Sequence, residues 1–144
     1  MVEPQGYFFE DLAKGMSASL EKRITDDDIV RFAEVTGDTN PLHLDDDFAR
    51  ESIFGGRIAH GMLTASLFSA ILGTRMPGPG CIYMSQSIRF RAPVRPGELA
   101  VATVTVKRID SKKQRVEFDC SCAVGNTVVA EGEALAKVPS RAKG

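Results

Sequence analysis

The hydrophobic pattern changes period near Gly78. Upstream, "TDDDIVRFAEVTG" sets Ile29, Phe32, Ala33 and Thr36 along one helical stripe. Thr25 is the predicted N-cap, with Asp28 three residues on as a variant of the capping box, and Gly37 is a natural C-terminal stop. "DDDFARES" predicts a further helical turn or two begun by Asp45, and "GMLTASLFSAILG" predicts a helix that is apolar almost all round and therefore buried. After "MPGPG" the period becomes two. In "CIYMSQSIRF", Ile82, Met84, Ile88 and Phe90 share one predicted face, with Tyr83, Ser85, Ser87 and Arg89 opposite. "ELAVATVTVKR", "QRVEFDCSCAV" and "TVVAEGEALAKV" predict three more strands, the last two joined by a two-residue hairpin at Gly125-Asn126. An earlier strand is predicted over about Ser17 to Ile24.

Four strands so closely spaced cannot form a doubly wound sheet, because each parallel pairing needs a crossover of about a dozen residues or more. The predicted sheet is largely antiparallel. One of its faces is covered by the apolar helix, which gives an α+β hot-dog fold, an antiparallel sheet wrapped around a long central helix. No internal repeat or linker interrupts the pattern, and only the polar tail "PSRAKG" lies beyond it.

The 144 residues suit one domain over 1–144, with its core at about 15–139, large enough to bury roughly two thirds of the unfolded chain's surface. Lys+Arg 18 against Asp+Glu 19 leaves a formal net charge of -1, which argues against nucleic acid or an anionic membrane as the main partner. The apolar run around Met62 to Leu72 is too short and interrupted to span a bilayer, and "MVEPQGYFFEDL" lacks the basic start and apolar core of a signal peptide. The expected location is cytoplasmic. Cys81, Cys120 and Cys122 are odd in number and lack CxxC spacing, so neither a disulfide framework nor a metal site is expected. Cys120 and Cys122 share a strand face with Val116, Phe118 and Val124, where free cysteines act as small hydrophobes.

Chemistry concentrates in "GDTNPLHLDDDF". Asp38 and His43 flank an Asn-Pro turn, and Pro41 fixes the backbone between them on what reads as a short irregular segment. A carboxylate and an imidazole directed at one water can serve as general base and acid; the same residues can also be simple turn formers. In "RIAHGMLTAS", Gly61 stands at the entry to the apolar helix, where unpaired amides point outward, while His60 is expected to support the loop by hydrogen bonds. Ser69 lies about two turns beyond Gly61, in position to look into the same cavity and hold Asp38. Ser66 is expected to bond back to its own helix. Gln86 is expected to bond either the catalytic loop or its own backbone. Arg89, Arg91 and Arg95 alternate as a basic cluster, suited either to the phosphates of an anionic ligand or to a solvated strand face.

The run "FAEVTGDTNPLHLDDDFARESIFGGRIAHGMLTASLFSAILG", followed by "GCIYMSQSIRFRAPVRPGE", resembles the MaoC-like dehydratase family, most closely its single-domain bacterial (R)-specific enoyl-CoA hydratases. The resemblance implies a hot-dog fold, a homodimer, and reversible syn hydration of a trans-2-enoyl-CoA to an (R)-3-hydroxyacyl-CoA. It implies no metal and no organic cofactor. By motif, Asp38 and His43 match the catalytic pair and Asn40 the asparagine between them. Gly61 matches the glycine whose amide faces the thioester oxygen, and Ser69 a polar side chain near the aspartate. The acyl group can arrive on coenzyme A or on an acyl carrier protein. Its product suits polyester (polyhydroxyalkanoate) supply, fatty-acid breakdown or another acyl-CoA route. Two alternatives stand beside this reading: a hot-dog acyl thioesterase, and a non-catalytic acyl-CoA-binding module.

Overall fold

The computed structural model describes residues 6–141. A 3-10 turn at Phe9–Asp11 leads into β1 (Ser17–Arg23). Helix α1 (Asp26–Thr36) and two short helices, α2 (Pro41–Leu44) and α3 (Asp46–Arg50), precede the central helix α4 (Gly61–Thr74). Strands β2 (Ile82–Phe90), β3 (Leu99–Asp110), β4 (Arg115–Val124) and β5 (Thr127–Lys137) complete the chain.

The sheet has the order β1-β3-β4-β5-β2 and every pairing is antiparallel. Strands β3 to β5 form a meander, closed between β4 and β5 by Gly125-Asn126 with Gly125 at φ 58°. Antiparallel partners share a face, so the register defines the inner surface: Ala102, Val104, Phe118, Cys120, Cys122, Ala134 and Ala136 are all buried against α4. Phe68, Ile71 and Leu72 of α4 fill the concavity from the other side, and Phe68 and Phe118 are fully buried. Burial of each such phenylalanine contributes up to about 3 kcal/mol. Burial also pushes the thiols of Cys81, Cys120 and Cys122 up to about 11. They remain protonated at neutral pH, in keeping with their role as small apolar side chains.

Two expectations are corrected. The predicted alternation of β2 breaks at a bulge: Tyr83 pairs with Ala136 and Ser85 with Leu135, leaving Met84 as the extra residue. Tyr83 therefore joins the face of Gln86 and donates a hydrogen bond to the Gln86 side-chain oxygen, while the Gln86 amide group donates to Ser87 O at 2.7 Å. Gln86 is thus satisfied on its own strand rather than by the loop that carries Asp38. Helix α4 is also not buried all round. A single sheet covers one side of a helix, so Met62, Ser66, Ser69 and Gly73 form an exposed stripe along the other.

The start of α1 follows the predicted capping box. Thr25 Oγ1 accepts from the Asp28 amide at 3.0 Å, the Asp28 carboxylate accepts from the Thr25 amide at 2.9 Å, and Gly37 ends the helix at φ 81°. The Thr25 amide and, secondarily, Lys22 hold the Asp28 carboxyl below the usual carboxylate range. A depressed folded-state pKa contributes stability that is present above the unfolded value and is lost as pH falls through the folded one. Asp28→Asn is accordingly expected to cost about 1 kcal/mol near neutral pH, and its deficit to close in acid. Urea titrations of both proteins at neutral and acidic pH check this; a deficit that stays constant in acid would contradict it.

Candidate active site

The loop after α1 is built from side-chain caps. Thr36 Oγ1 accepts from the Asp38 amide at 3.1 Å, Asp38 Oδ1 from the Asn40 amide at 3.3 Å, and Asn40 Oδ1 from the Leu42 amide at 3.0 Å. Asn40 is the N-cap of α2 and Pro41 its first residue, a position where the missing N–H costs nothing. His43 consequently stands on a helical turn, not on the irregular segment expected from the sequence. The same Asn-Pro pair that signals a turn also signals a helix start.

A second segment, residues 57–60, docks against this loop. Ile58 N donates to Leu42 O at 3.4 Å, and Ile58 O lies 2.8 Å from His43 Nδ1. A carbonyl only accepts, so Nδ1 carries the proton and Nε2 of neutral His43 keeps a free lone pair. His60 Nε2 lies 3.0 Å from Asp38 O and by the same reasoning donates to it, which agrees with the loop-supporting role expected of this residue. The two imidazoles are stacked with centroids 3.9 Å apart, and both are buried, His43 at 8% and His60 at 2% exposure, whereas Asp38 is exposed.

Arg57 locks the two segments together. Its guanidinium pairs with Asp46 at 2.7 Å and Asp26 at 2.5 Å, and it donates to His43 O at 3.3 Å. Those two carboxylates, Asp26 first, raise its pKa still further. The sequence reading missed this residue. Its signal was a lone basic group in "GGRIAHG" with two aspartate-rich stretches upstream, but the pairing is non-local and spacing does not reveal it.

A carboxylate oxygen of Asp38 and one ring nitrogen from each of His43 and His60 lie within 4.8 Å of one another. Two hydrogen bonds of about 2.8 Å made by one water span a similar distance. The same spacing would also suit a metal ion, each imidazole keeping one nitrogen uncommitted to a carbonyl.

Gly61 follows His60 as the first residue of α4, so its amide has no intrahelical acceptor. The Phe90 ring lies over it: a Cβ at Gly61 would stand 2.7 Å from Phe90 Cε1. An apolar recess of about 60 Å³, lined by Gly61, Thr64, Phe90, Val94 and Val129 among others, opens beside this amide.

The remaining expected site residues are not gathered here. Ser69 is exposed on α4, and no hydrogen bond joins it to Asp38 among the described residues; Ser66 bonds back to Leu63 O at 2.5 Å as expected. Arg89 pairs with Glu131, which pairs with Ser121, on the outer sheet face away from α4. Arg91 reaches the same face through its ion pair with Glu131 at 2.5 Å. Arg95 alone lies near the docking segment, with a guanidinium nitrogen 3.4 Å from Gly56 O.

Residues 9–131 match the family model described as MaoC like domain. The chain is 51% identical over 135 residues to an (R)-specific enoyl-CoA hydratase of Rhodospirillum rubrum, covering 94% of each. It is 51% identical over 134 residues to a 3-hydroxybutyryl-CoA dehydratase of Methylorubrum extorquens, covering 93% of this chain and 85% of the relative. Among solved structures it is similar to the (R)-hydratase of A. caviae involved in PHA biosynthesis, with a TM-score of 0.87, 39% identity, and 90% and 99% of the two chains covered.

Proposed function

The chain belongs to the MaoC-like domain family, and from that membership we propose that it is an (R)-specific enoyl-CoA hydratase, a hydro-lyase that adds water reversibly to a trans-2-enoyl-CoA. The observation that carries this reading to particular residues is the convergence of Asp38 and His43 within reach of one water, with the Nε2 lone pair of His43 left free by the bond from Nδ1 to Ile58 O.

In the forward direction the water oxygen bonds to C3 of the enoyl group while one of its protons passes to the pair, and a proton from the pair is delivered to C2. Because a single water is gripped by both groups, hydroxyl and proton arrive on the same face, which is syn addition. Negative charge meanwhile builds on the thioester oxygen. The Gly61 amide at the positive end of α4 is the proposed donor to that oxygen, a contact typically worth roughly 3 kcal/mol of transition-state stabilisation. Asn40 keeps His43 on its turn, and Ser69 matches the family motif while standing on the exposed side of α4. The chemistry calls for no cofactor.

Crotonyl-CoA tests the reading directly. Loss of the enoyl absorbance without free thiol supports the hydratase; thiol release identifies a thioesterase, and neither change identifies a binding module.

Arg95 is the proposed contact for coenzyme A phosphates among the three arginines, since Arg89 and Arg91 sit on the outer face. Such a contact acts equally in ground and transition states, so Arg95→Ala should raise KM and leave kcat unchanged. Equal losses on crotonyl-CoA and on a pantetheine thioester would remove it from this role. The proposed product suits the supply of hydroxyacyl monomers for polyhydroxyalkanoate, and the proposed setting is the cytoplasm; no described helix is long and apolar enough to cross a membrane.

A homodimer is also part of the proposal. Strand β2 ends the sheet and carries exposed Ile82, Met84 and Phe90, close in sequence order to the free stripe of α4. Pairing two such edges covers both. Light scattering at micromolar concentration should give twice the chain mass; a fully active monomer would contradict this.

A further inference from the structure

One buried residue adjoins Asp38, His43 and Gly61 without being assigned a step in the proposed reaction. His60 donates from Nε2 to the carbonyl of Asp38, lays its ring on that of His43, and precedes Gly61 as the N-cap of α4. Another neighbour is the half-buried Phe32, whose ring lies 4.8 Å away at 52°, so the imidazole contacts two other rings. Its own carbonyl accepts from Leu63 N at 3.1 Å and Thr64 N at 3.4 Å, which begins the helix. With Nε2 donating, Nδ1 holds a lone pair, and this buried atom has no hydrogen-bond partner among the described residues.

That arrangement is unusual for a residue whose role is only to fill space. A phenylalanine would supply the flat ring without leaving a buried nitrogen unpaired, at a cost of about 1–3 kcal/mol for each such group. An asparagine or glutamine would supply the donor without the ring. An imidazole supplies both at once, a donor to the backbone of the carboxylate residue and a face for the imidazole beside it.

We propose that His60 is the positioning residue of the site: as the neutral Nε2–H tautomer it sets the distance between Asp38 and His43, holding the first through its carbonyl and the second through its ring. This rests on the reading of Asp38 and His43 as the catalytic pair. It assigns His60 no proton transfer. Reacting groups misplaced by about 1 Å lose on the order of a hundredfold in rate, so the role should appear in kcat.

The experiment separates the two contacts. His60→Phe keeps a ring and loses the donor, His60→Gln keeps a terminal N–H and loses the ring, and His60→Ala loses both. For folded proteins of wild-type mass, His60→Ala should lower kcat for crotonyl-CoA by about tenfold to a hundredfold with KM nearly unchanged, and each of the other two should recover part of the loss. A folded His60→Ala protein with wild-type kcat, or one altered only in KM, would overturn the proposal. A second measurement does not depend on turnover or on the variants folding. In nitrogen-labelled wild type, imidazole NMR should show His60 protonated at Nε2 and His43 at Nδ1. His60 protonated at Nδ1 instead would overturn the positioning contact. Wild type that left crotonyl-CoA unhydrated would remove the proposed function, and the tautomer of His60 would still decide whether it grips Asp38.

Discussion

Asp38→Asn and His43→Gln should each lower kcat by roughly 10²–10⁴ while leaving the fold intact. Both groups act on one water in the proposed reaction, so removing either breaks the same step, and the double variant should lose little more than the worse single one. Stability should hardly change, for physical reasons specific to each site. The Asp38 side chain is exposed, and its one described bond, from the Asn40 amide at 3.3 Å, can be accepted equally by an asparagine oxygen. Glutamine at position 43 keeps a terminal polar group near Ile58 O. Single-turnover hydration of crotonyl-CoA combined with thermal unfolding tests this. Near-wild-type turnover from either variant would end the assignment, and a large loss of stability would move the effect from chemistry to folding.

Gly132→Ala should be among the most destabilising single-methyl additions in the protein, costing roughly 3 kcal/mol or more. Gly132 faces Ile88 on β2 and Cys120 on β4, and a Cβ there would stand 1.9 Å from Ser87 O and 2.9 Å from Ile88 Cα. Those are backbone atoms of a paired strand, so relief requires β2 to separate from β5. Gly61→Ala makes the useful contrast. Its added methyl meets the half-exposed ring of Phe90, a side chain able to swing away, so its stability should suffer much less. Urea unfolding of the two variants gives the comparison, and similar midpoints would sink the argument. Because β2 also carries the proposed dimer edge, Gly132→Ala should weaken subunit association as well.

The sequence was most informative where structure is local. The Thr25–Asp28 box, the Gly37 stop, the Asp45 cap and the Gly125-Asn126 hairpin are each decided within a few residues, and all appear where the pattern placed them. The antiparallel pairing followed from the spacing of the strands, and the helix against it from the apolar run that precedes them. The face of Tyr83 was not legible, because a bulge adds one residue to a strand with no signal in its composition. The exposed stripe of α4 escaped for another reason: Ser66, Ser69 and Gly73 are too small and too few to mark a polar face in a helix of high mean hydropathy. In the site, the nearness of Asp38 and His43 was legible through their motif, and the outer position of Arg89 through strand alternation. The linkage of Arg57 to Asp26, Asp46 and His43 was not, since it depends on three segments meeting in space.

The register of β1 with β3 has a consequence for how such a protein can change over evolutionary time. Ser17 pairs with Thr105, so the whole stretch from α1 through α4 is enclosed within one long chain closure. The entropy of closure grows only logarithmically, and doubling a flexible loop costs about 0.6 kcal/mol. Residues inserted into the turn over 51–56, between α3 and Arg57, would thus change the overall stability little, whereas a residue inserted into the two-residue turn between β4 and β5 would shift the register of the meander that everything else rests on. Tolerance for added length is thus concentrated in one turn beside the candidate site, while the sheet stays fixed.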